Sequence, residues 1–401
     1  MARLLLFNPS NDMALAVNSL EYLPPLHIQR MESDLSLLPL WWAEEDDCIL
    51  MPDNTLRRVD AHVLDTLHDA CLHATFDDND MSHLVASIPV IEASSVCKEL
   101  VPAPWGWNKA LRRRLLRLGI SADVMPTEKV LDDYRQISSR SFACEYLHEL
   151  FAEAERVGVS SSLVGQGMHM LSNLSELDFS LSASRSSFNS ALIFKSPWSS
   201  SGRGVWVSHA GESFDEKRIL RTIRQQGSIL VDDFYSDKLL DFALEFEVLP
   251  ASSDVVTFPE ASASGVVVRF LGFSVFCASD NGNYGYNIVA SQSVLRQRIL
   301  STGLDACLLD WVIEYSRQHL AQHLYGRYHG CVGIDMLVCR HDDQIKLHPC
   351  VEINLRRNMG ILALDLYRHL SSRPYFLLAG SSSCGFCARL VNEQLSIVFN
   401  A

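Results

Sequence analysis

The sequence lacks the features that mark membrane proteins and nucleic-acid-binding proteins. No apolar run approaches the length of a membrane span, and the apolar run Leu4–Phe7 is ended by Asn8-Pro9 before it reaches the length of a signal-peptide core. Basic residues are outnumbered, 34 against 48 acidic residues, and a net charge of −14 repels a phosphate backbone. We therefore expect a soluble, cytoplasmic protein that binds neither membranes nor nucleic acid.

A disulfide framework and two common nucleotide-binding loops are also missing. The 11 cysteines are an odd number spread over a long chain, which favours reduced thiols, and the lone Cys384-x-x-Cys387 pair is interpreted as coincidence. No segment matches the P-loop pattern, and Gly165-Gln166-Gly167 is not followed by the third glycine of a dinucleotide-binding turn. Any phosphate site must therefore be built from other residues.

The length of 401 residues, with 48% hydrophobic and 20% charged residues, predicts two or three globular units. A buried strand at Arg3–Phe7, a polar turn and a helix open a small Rossmann-like α/β unit, which we assign to residues 1–125. Residues 126–380, which begin with helices and continue mostly as strands, form a predicted α+β domain with a smaller subdomain at about 190–240. Residues 381–401 are interpreted as a C-terminal tail. The predicted fold class is therefore α/β followed by α+β.

The first candidate site begins at Lys195, which ends an apolar strand. Side chains alternate along a strand, so Phe194 and Lys195 lie on opposite faces, and the ammonium group is able to leave the core and reach a phosphate. A turn rich in Ser and Gly follows, and its Gly202 and Gly204 allow backbone N–H groups to approach phosphate oxygens closely. The segment therefore predicts a hairpin suited to phosphate.

The second candidate site places acids inside apolar strands. Glu352 and Asn354 are two residues apart in one predicted strand, so their side chains share a face. A hairpin turn near Asp343 brings Asp335, in the preceding strand, beside them either directly or diagonally. Two carboxylates and an amide oxygen in an apolar surround require neutralisation, and such ligands suit Mg²⁺ that is shared with phosphates.

An ordinary ion-pair cluster is the alternative interpretation of these acids. Arg356 and Arg357 follow Asn354 directly and would then neutralise the two carboxylates without a metal ion. Residue types alone do not separate the two interpretations.

The order of these motifs resembles the ATP-grasp superfamily of carboxylate-amine ligases. The pattern of that family is a lysine strand with a glycine-rich loop, an acidic hinge strand, an Asp strand and a Glu-x-Asn strand. This chain meets the pattern in the same order, within roughly residues 126–365. The matching elements are Lys195, the segment Val231–Tyr235, Asp335 and Glu352-Ile353-Asn354. The front part resembles the small α/β unit that precedes the grasp fold, and the opening residues resemble uncharacterised bacterial proteins of this type.

The resemblance implies a role for each basic residue of the pattern. Lys195 would contact the α- and β-phosphates of ATP, and Arg140 would be an earlier phosphate contact. Arg356 would steady the transferred phosphoryl group. The lid over the triphosphate would be formed by Gly202, Arg203 and Gly204. Ser196, which interrupts the lysine–proline junction usual in the family, and the bulky Trp198 are departures that concern the shape of this lid.

The resemblance also implies how the rest of the nucleotide and its metal would be bound. Asp241 or Glu245 would hold the ribose hydroxyls. The hinge that binds adenine, largely through backbone groups, would be Asp232, Asp233, Phe234 and Tyr235. The Mg²⁺ ligands, which also suit Mn²⁺, would be Asp335, Glu352 and Asn354.

The implied reaction passes the γ-phosphoryl group of ATP to a substrate carboxylate, and an amine or a thiol then displaces phosphate. The substrates would be small molecules or peptides, and the sequence identifies neither them nor the oligomeric state. The loop at 280–287 is interpreted as a hairpin turn rather than a substrate contact, while Asn8 and Asp12 fit helix capping and ligand contact equally well. The alternatives are phosphoryl transfer to a hydroxyl, nucleotide binding without turnover, and a purely structural α/β protein.

Overall fold

The computed structural model describes most of the chain in eleven segments, at residues 2–72, 81–91, 99–176, 191–199, 204–209, 211–212, 214–250, 266–278, 284–370, 375–382 and 385–392. Three residues discussed above, Gly202, Arg203 and Cys384, lie outside these segments, as do residues 279–283 of the loop at 280–287.

The described residues form helices and strands that alternate in the first half of the chain, with strands more frequent in the second half. The strands are β1 (Arg3–Leu6), β2 (Cys48–Leu50), β3 (Leu56–Arg58), β4 (Val90–Ile91), β5 (Val101–Pro104), β6 (His169–Leu171), β7 (Leu192–Lys195), β8 (Val205–Ser208), β9 (Ile229–Asp233), β10 (Lys238–Pro250), β11 (Val266–Ala278), β12 (Tyr284–Val289), β13 (Gly330–His341), β14 (Gln344–Asn354), β15 (Tyr375–Ser382) and β16 (Gly385–Asn392).

The α-helices of the described residues range from seven to 18 residues in length. They are α1 (Asn11–Val17), α2 (Leu26–Asp34), α3 (Ala61–Leu72), α4 (Met81–Ser87), α5 (Lys109–Arg117), α6 (Glu128–Ile137), α7 (Arg140–Val157), α8 (Glu216–Gln226), α9 (Gln292–Leu300), α10 (Ala306–His323) and α11 (Met359–His369). None of these helices is both long and apolar enough to cross a membrane.

The chain divides into two compact units, each assembled from separate segments. Unit 1 consists of Met1–Tyr134, Gly285–Leu295 and Arg356–Ala401, and unit 2 consists of Arg135–Tyr284 and Arg296–Leu355. The domains predicted from the sequence are continuous segments, and their boundaries remain a prediction. Part of the segment predicted as a C-terminal tail is the strand β16, which pairs with β15.

Unit 1 contains a five-stranded sheet with the order β4-β3-β2-β1-β5, in which β1 is parallel to both of its neighbours. Alternate residues of β1 enter two different cores, since Leu4 and Leu6 belong to one hydrophobic cluster and Leu5 to another. Such burial on both faces is typical of an α/β layer. Helix α5 is capped by Asn108, whose side chain accepts a hydrogen bond from the Leu111 N–H at 2.9 Å.

The larger sheet of unit 2 is antiparallel and has β14, β13, β10 and β11 as neighbours in that order. Helix α7 packs against β14, and helix α10 packs against β10 and β11. Phe242, Leu244 and Phe246 of β10 are completely buried on one face of the strand. The other face of the same strands carries the polar residues of the candidate site.

The smaller sheet of unit 2 is also antiparallel, with the order β6-β9-β7-β8. Its core consists of Phe194, Val231 and Ile229 packed against Ile219 of helix α8. Phe194 stacks on Trp206 with a ring separation of 5.5 Å. The small α/β unit, this sheet and the larger α+β sheet together confirm the predicted fold class.

Candidate functional site

The hairpin of β13 and β14 brings the three predicted metal ligands together. Asp335 is directly opposite Glu352, and Asn354 is opposite Gly333 in the neighbouring row. The Asn354 Nδ2 donates to Asp335 Oδ2 at 3.1 Å. The expected proximity of these residues is thus observed, and the register left open by the sequence is the direct one.

The turn of this hairpin is tight and includes Asp343, near which the sequence predicts it. His341 and Gln344 are still paired, so the turn consists of two residues. Asp342 and Asp343 have φ angles of 50° and 58°. Two successive positive φ angles are those of a type I′ turn, which tolerates Asp and matches the twist of the strands.

Arg140, at the first turn of helix α7, is the cation that contacts this hairpin. Its Nη2 donates to Glu352 Oε2 at 2.7 Å, and its Nη1 donates to the Ser196 carbonyl oxygen and to Ser199 Oγ. Only 4% of Arg140 is exposed, and within the described part of the chain its buried Nε has no hydrogen-bond partner. An orphaned guanidinium N–H is costly unless a further acceptor binds there.

Lys195 lies at the end of β7 on the face opposite to Phe194, as predicted, but it is buried rather than mobile, with 5% exposed. Burial lowers the pKa of Lys195, the Asp232 carboxylate partly offsets this, and Arg140 lowers the pKa further. Among the described residues Lys195 forms no ion pair. The site thus holds a desolvated ammonium group close to a guanidinium, an arrangement that favours an anionic ligand.

A buried pair that the sequence did not reveal joins the two sheets of unit 2. His348 Nε2 lies 3.0 Å from Asp232 Oδ2, and both side chains are at most 2% exposed. Gly165 has a φ of +100°, and a Cβ at this position would come within 2.5 Å of the His348 ring. The Gly165 N–H donates to the hydroxyl of Tyr235 at 2.9 Å. Gly165 was noticed in the sequence only because it does not belong to a dinucleotide turn.

Two backbone N–H groups of the predicted hinge donate hydrogen bonds to acceptors within the protein. The Phe234 N–H donates to the Ala191 carbonyl oxygen at 2.8 Å, and the Asp233 N–H donates to Asp232 Oδ1 at 2.9 Å. Burial, followed by the neighbouring Asp232 carboxylate, raises the pKa of Asp233. Adenine recognition through these two N–H groups would require both bonds to break.

The two candidates for ribose binding differ in their surroundings. Asp241 pairs with Lys238 at 2.5 Å, and burial raises the pKa of Asp241. Glu245 is 1% exposed, accepts a hydrogen bond from Ser274 Oγ at 2.8 Å, and is in one row with Gly333 across β10 and β13. The Glu245 carboxylate is therefore already held by the sheet.

Ser196 and Trp198, which depart from the family pattern, contact Gly204 and Arg135 respectively. Gly204 has a φ of +74°, and a Cβ there would come within 2.5 Å of Ser196 Oγ, so this position requires glycine. Trp198 Nε1 donates to the Arg135 carbonyl oxygen at 2.9 Å, and the Arg135 guanidinium lies 3.9 Å from the Trp198 ring centre. Trp198 is thus fixed to the start of unit 2 through Arg135.

The arginines proposed in the ion-pair alternative bind other acids. Arg356 donates to both carboxylate oxygens of Asp12 at 2.7–3.0 Å, and Arg357 Nη1 donates to Asp365 at 2.6 Å. Glu352 is therefore ion-paired with an arginine, as the alternative expects, but this arginine is Arg140. Asp12 is neutralised by Arg356, and the phosphoryl-binding role of Arg356 remains a prediction.

No family model and no curated protein matches the sequence. Similar solved structures include the biotin carboxylase domain of Hydrogenobacter thermophilus 2-oxoglutarate carboxylase, in complex with MgADP and bicarbonate. This match has 12% identity and a TM-score of 0.37, and it covers 63% of this chain and 52% of that one. N5-carboxyaminoimidazole synthetase from Staphylococcus aureus with ADP matches at 13% identity and a TM-score of 0.38. The match covers 70% of this chain and 71% of that one. D-alanyl-alanine synthetase A from Vibrio cholerae matches at 13% identity and a TM-score of 0.31. The match covers 67% of this chain and 70% of that one.

The present chain spans only about half the length of the carboxylase chain. With TM-scores below 0.5 and identities of 12% and 13%, the likenesses assign neither a substrate nor a reaction to the chain.

Proposed function

We propose that unit 2 binds Mg-ATP and uses it to activate a carboxylate for attack by an amine or a thiol. The observation that carries the proposal is the direct pairing of Asp335 with Glu352 on two strands, beside the buried cations Arg140 and Lys195. This combination of paired acids and desolvated cations fits a metal-bound polyphosphate, whose negative charge would balance both cations.

The oxygen ligands of the hairpin fit Mg²⁺. Asp335, Glu352 and Asn354 offer two carboxylates and one amide oxygen, and the amide nitrogen of Asn354 already points at Asp335. Such a set leaves several coordination positions of an octahedral ion for phosphate oxygens and water, as Mg²⁺ prefers. Mn²⁺ would fit the same donors.

The two cations fit the phosphates. Lys195 is a buried ammonium that forms no ion pair among the described residues, and Arg140 presents a buried Nε–H that lacks an acceptor there. A phosphate oxygen would satisfy the orphaned donor and would offset the desolvation of Lys195. The hinge 232–235 and the residues Asp241 or Glu245 remain the proposed adenine and ribose contacts.

The reaction we propose needs no nucleophilic side chain from the protein. Mg-ATP, when bound, supplies the transferable phosphoryl group and neutralises part of its charge. Arg140 and Lys195 would hold the phosphates in line with the acceptor carboxylate and stabilise charge that develops between them. The lid at 202–204 would exclude water, because an acyl phosphate hydrolyses readily.

A thermal-shift titration with ATP, in the presence and absence of Mg²⁺, tests the nucleotide site. We expect ATP to raise the melting temperature much more with Mg²⁺, because binding to the folded state alone stabilises it by mass action. Equal shifts with and without Mg²⁺, or no shift at all, would contradict the proposed metal ligands.

A separate assay tests the reaction. Phosphate release should be stimulated when a carboxylate and an amine are supplied together, and a screen of amino acids and small peptides would identify the class of both substrates. Transfer of phosphate to a hydroxyl compound would instead support a phosphotransferase. Tight Mg-ATP binding without turnover across the screen would support a binding protein.

A further inference from the structure

A second group of potential ligands lies on two helices of unit 2, away from the β13–β14 hairpin in sequence. Glu149 belongs to helix α7, and His319 and His323 are one turn apart on helix α10. Glu149 Oε2 lies 3.3 Å from Nε2 of His319 and 3.2 Å from Nε2 of His323. One potential ligand atom from each residue lies within 4.8 Å of the other two.

The imidazole nitrogens of this cluster are buried without satisfying partners. Within the described residues, both ring nitrogens of His319 and the Nε2 of His323 have no hydrogen-bond partner, despite the nearby carboxylate. His319 is 4% exposed. A native structure rarely leaves several buried polar atoms unpaired, and an absent ion is one of the explanations for such a group.

Aromatic rings also lie close to the His319 imidazole. The His319 ring lies 4.9 Å from the Tyr146 ring, 5.8 Å from the Phe142 ring and 4.0 Å from the ring of His323. Burial, followed by the neighbouring His323, lowers the pKa of His319 to about 3. The His319 ring therefore lies in a desolvated environment and faces the carboxylate of Glu149 at 3.3 Å.

The two distances from Glu149 to the histidines fit a tetrahedral transition-metal ion. Two donors bound at about 2.05 Å with a tetrahedral angle lie about 3.3 Å apart. The two separations between Glu149 and the histidines, 3.2 and 3.3 Å, have this value. Imidazole nitrogens combined with a carboxylate suit Zn²⁺ and its neighbours, whereas Mg²⁺ prefers oxygen ligands.

We propose that Glu149, His319 and His323 form a three-ligand binding site for a divalent transition metal such as Zn²⁺. The Glu149 side chain is 49% exposed and that of His323 is 23% exposed, so the ion can enter from solvent and keep a water molecule as its fourth ligand. The ion would link helix α7 to helix α10. Because α7 begins at Arg140, metal binding would also stabilise the helix that presents this guanidinium to Glu352.

Titration of the metal-free, full-length chain with Zn²⁺ against a chromogenic chelator tests this site. We compare the wild type with Glu149→Gln and His323→Ala. Glu155→Gln is the matched control, because Glu155 is an exposed carboxylate on the same helix. The 11 cysteines also bind zinc to some extent, but this background is common to all four proteins.

We expect one zinc ion per chain that the wild type and Glu155→Gln bind with the same affinity. Each of the two cluster variants should weaken this site by more than about 100-fold, since loss of an outer-shell partner already costs about 10–100-fold. Equal zinc affinity and stoichiometry in all four proteins would overturn the proposal. If His323→Ala fails to fold, the half-exposed Glu149→Gln still decides the question.

Discussion

The two clusters of unit 2 surround their acids with different partners. On the sheet, Glu352 is paired with the guanidinium of Arg140, and the ammonium of Lys195 is buried close by. On the helices, Glu149 faces the imidazoles of His319 and His323 at 3.3 and 3.2 Å. The sheet cluster is rich in charge and in oxygen ligands, whereas the helix cluster is poor in both. The difference predicts magnesium and phosphates at the first cluster and a transition metal at the second.

The clusters also differ in how the chain assembles them. Arg140 and Glu352 are 212 residues apart, and the sheet cluster needs the correct packing of α7, β7, β9 and the β13–β14 hairpin. The helix cluster needs only one contact between α7 and α10, since His319 and His323 share a helix face by their spacing. A substitution in the sheet cluster should therefore disturb the contacts of several helices and strands, and it should weaken ligand binding in this way.

The largest effect is expected for Glu352→Gln. The substitution removes a proposed metal ligand and the partner of Arg140, and a metal ion contributes several kcal/mol to charge stabilisation in such reactions. We predict that Mg-ATP-dependent phosphate release falls by more than about 1,000-fold. Zinc affinity should stay unchanged, because the helix cluster does not contain Glu352. Phosphate release close to the wild-type rate would show that the hairpin is not the metal site.

Lys195→Met should have the next largest effect. Methionine fills the same buried space without the charge, so the loss reports the ammonium group rather than a cavity. We predict a decrease in turnover of about 100–1,000-fold, as for the removal of one well-placed donor. Lys217→Met is the control, since Lys217 is exposed on helix α8 of the same unit and should retain wild-type turnover. Similar losses in both variants would mean that positive charge in general, not Lys195, is responsible.

The sequence predicts local features of the sheet cluster well and its long-range partners poorly. The sequence predicts Lys195 and Glu352 as candidates because strand alternation and the Glu-x-Asn spacing are properties of neighbouring residues. The pairing of Asp232 with His348 depends on how two strands from separate sheets pack, which no local pattern specifies. The spacing of His319 and His323 indicates a shared helix face, but the proposed third ligand, Glu149, comes from a different helix.

Arg140→Lys tests whether the sheet cluster needs a fork-shaped cation or only a positive charge. The guanidinium binds Glu352, Ser196 and Ser199 at once, and an ammonium group cannot maintain all three contacts. One lost charge-assisted hydrogen bond is worth about 1.5–3 kcal/mol, so the dissociation constant for Mg-ATP should rise about 10–100-fold. Arg221→Lys, at an exposed position on helix α8, should leave that constant unchanged. Full affinity in Arg140→Lys would indicate that charge alone is sufficient.

The smallest effect concerns packing beside the helix cluster. The Tyr146 hydroxyl of α7 and Ser316 Oγ of α10 form a buried hydrogen bond of 2.7 Å, and Ser316 also donates to the Val312 carbonyl oxygen. Tyr146→Phe leaves Ser316 with that partner, so the free energy of unfolding should fall by only about 1 kcal/mol. Burial raises the pKa of Tyr146 well above its usual value, so the loss should be the same at neutral and mildly alkaline pH.

Chemical denaturation of Tyr146→Phe with and without Zn²⁺ separates packing of the two helices from ligation. The variant should lose stability equally in both conditions and retain one bound zinc ion, because the hydroxyl is not a ligand. A variant that is destabilised but no longer binds zinc would show that helix packing, rather than the three proposed ligands, determines the affinity. In that case the contrast between a charge-rich sheet cluster and a metal-binding helix cluster would no longer hold.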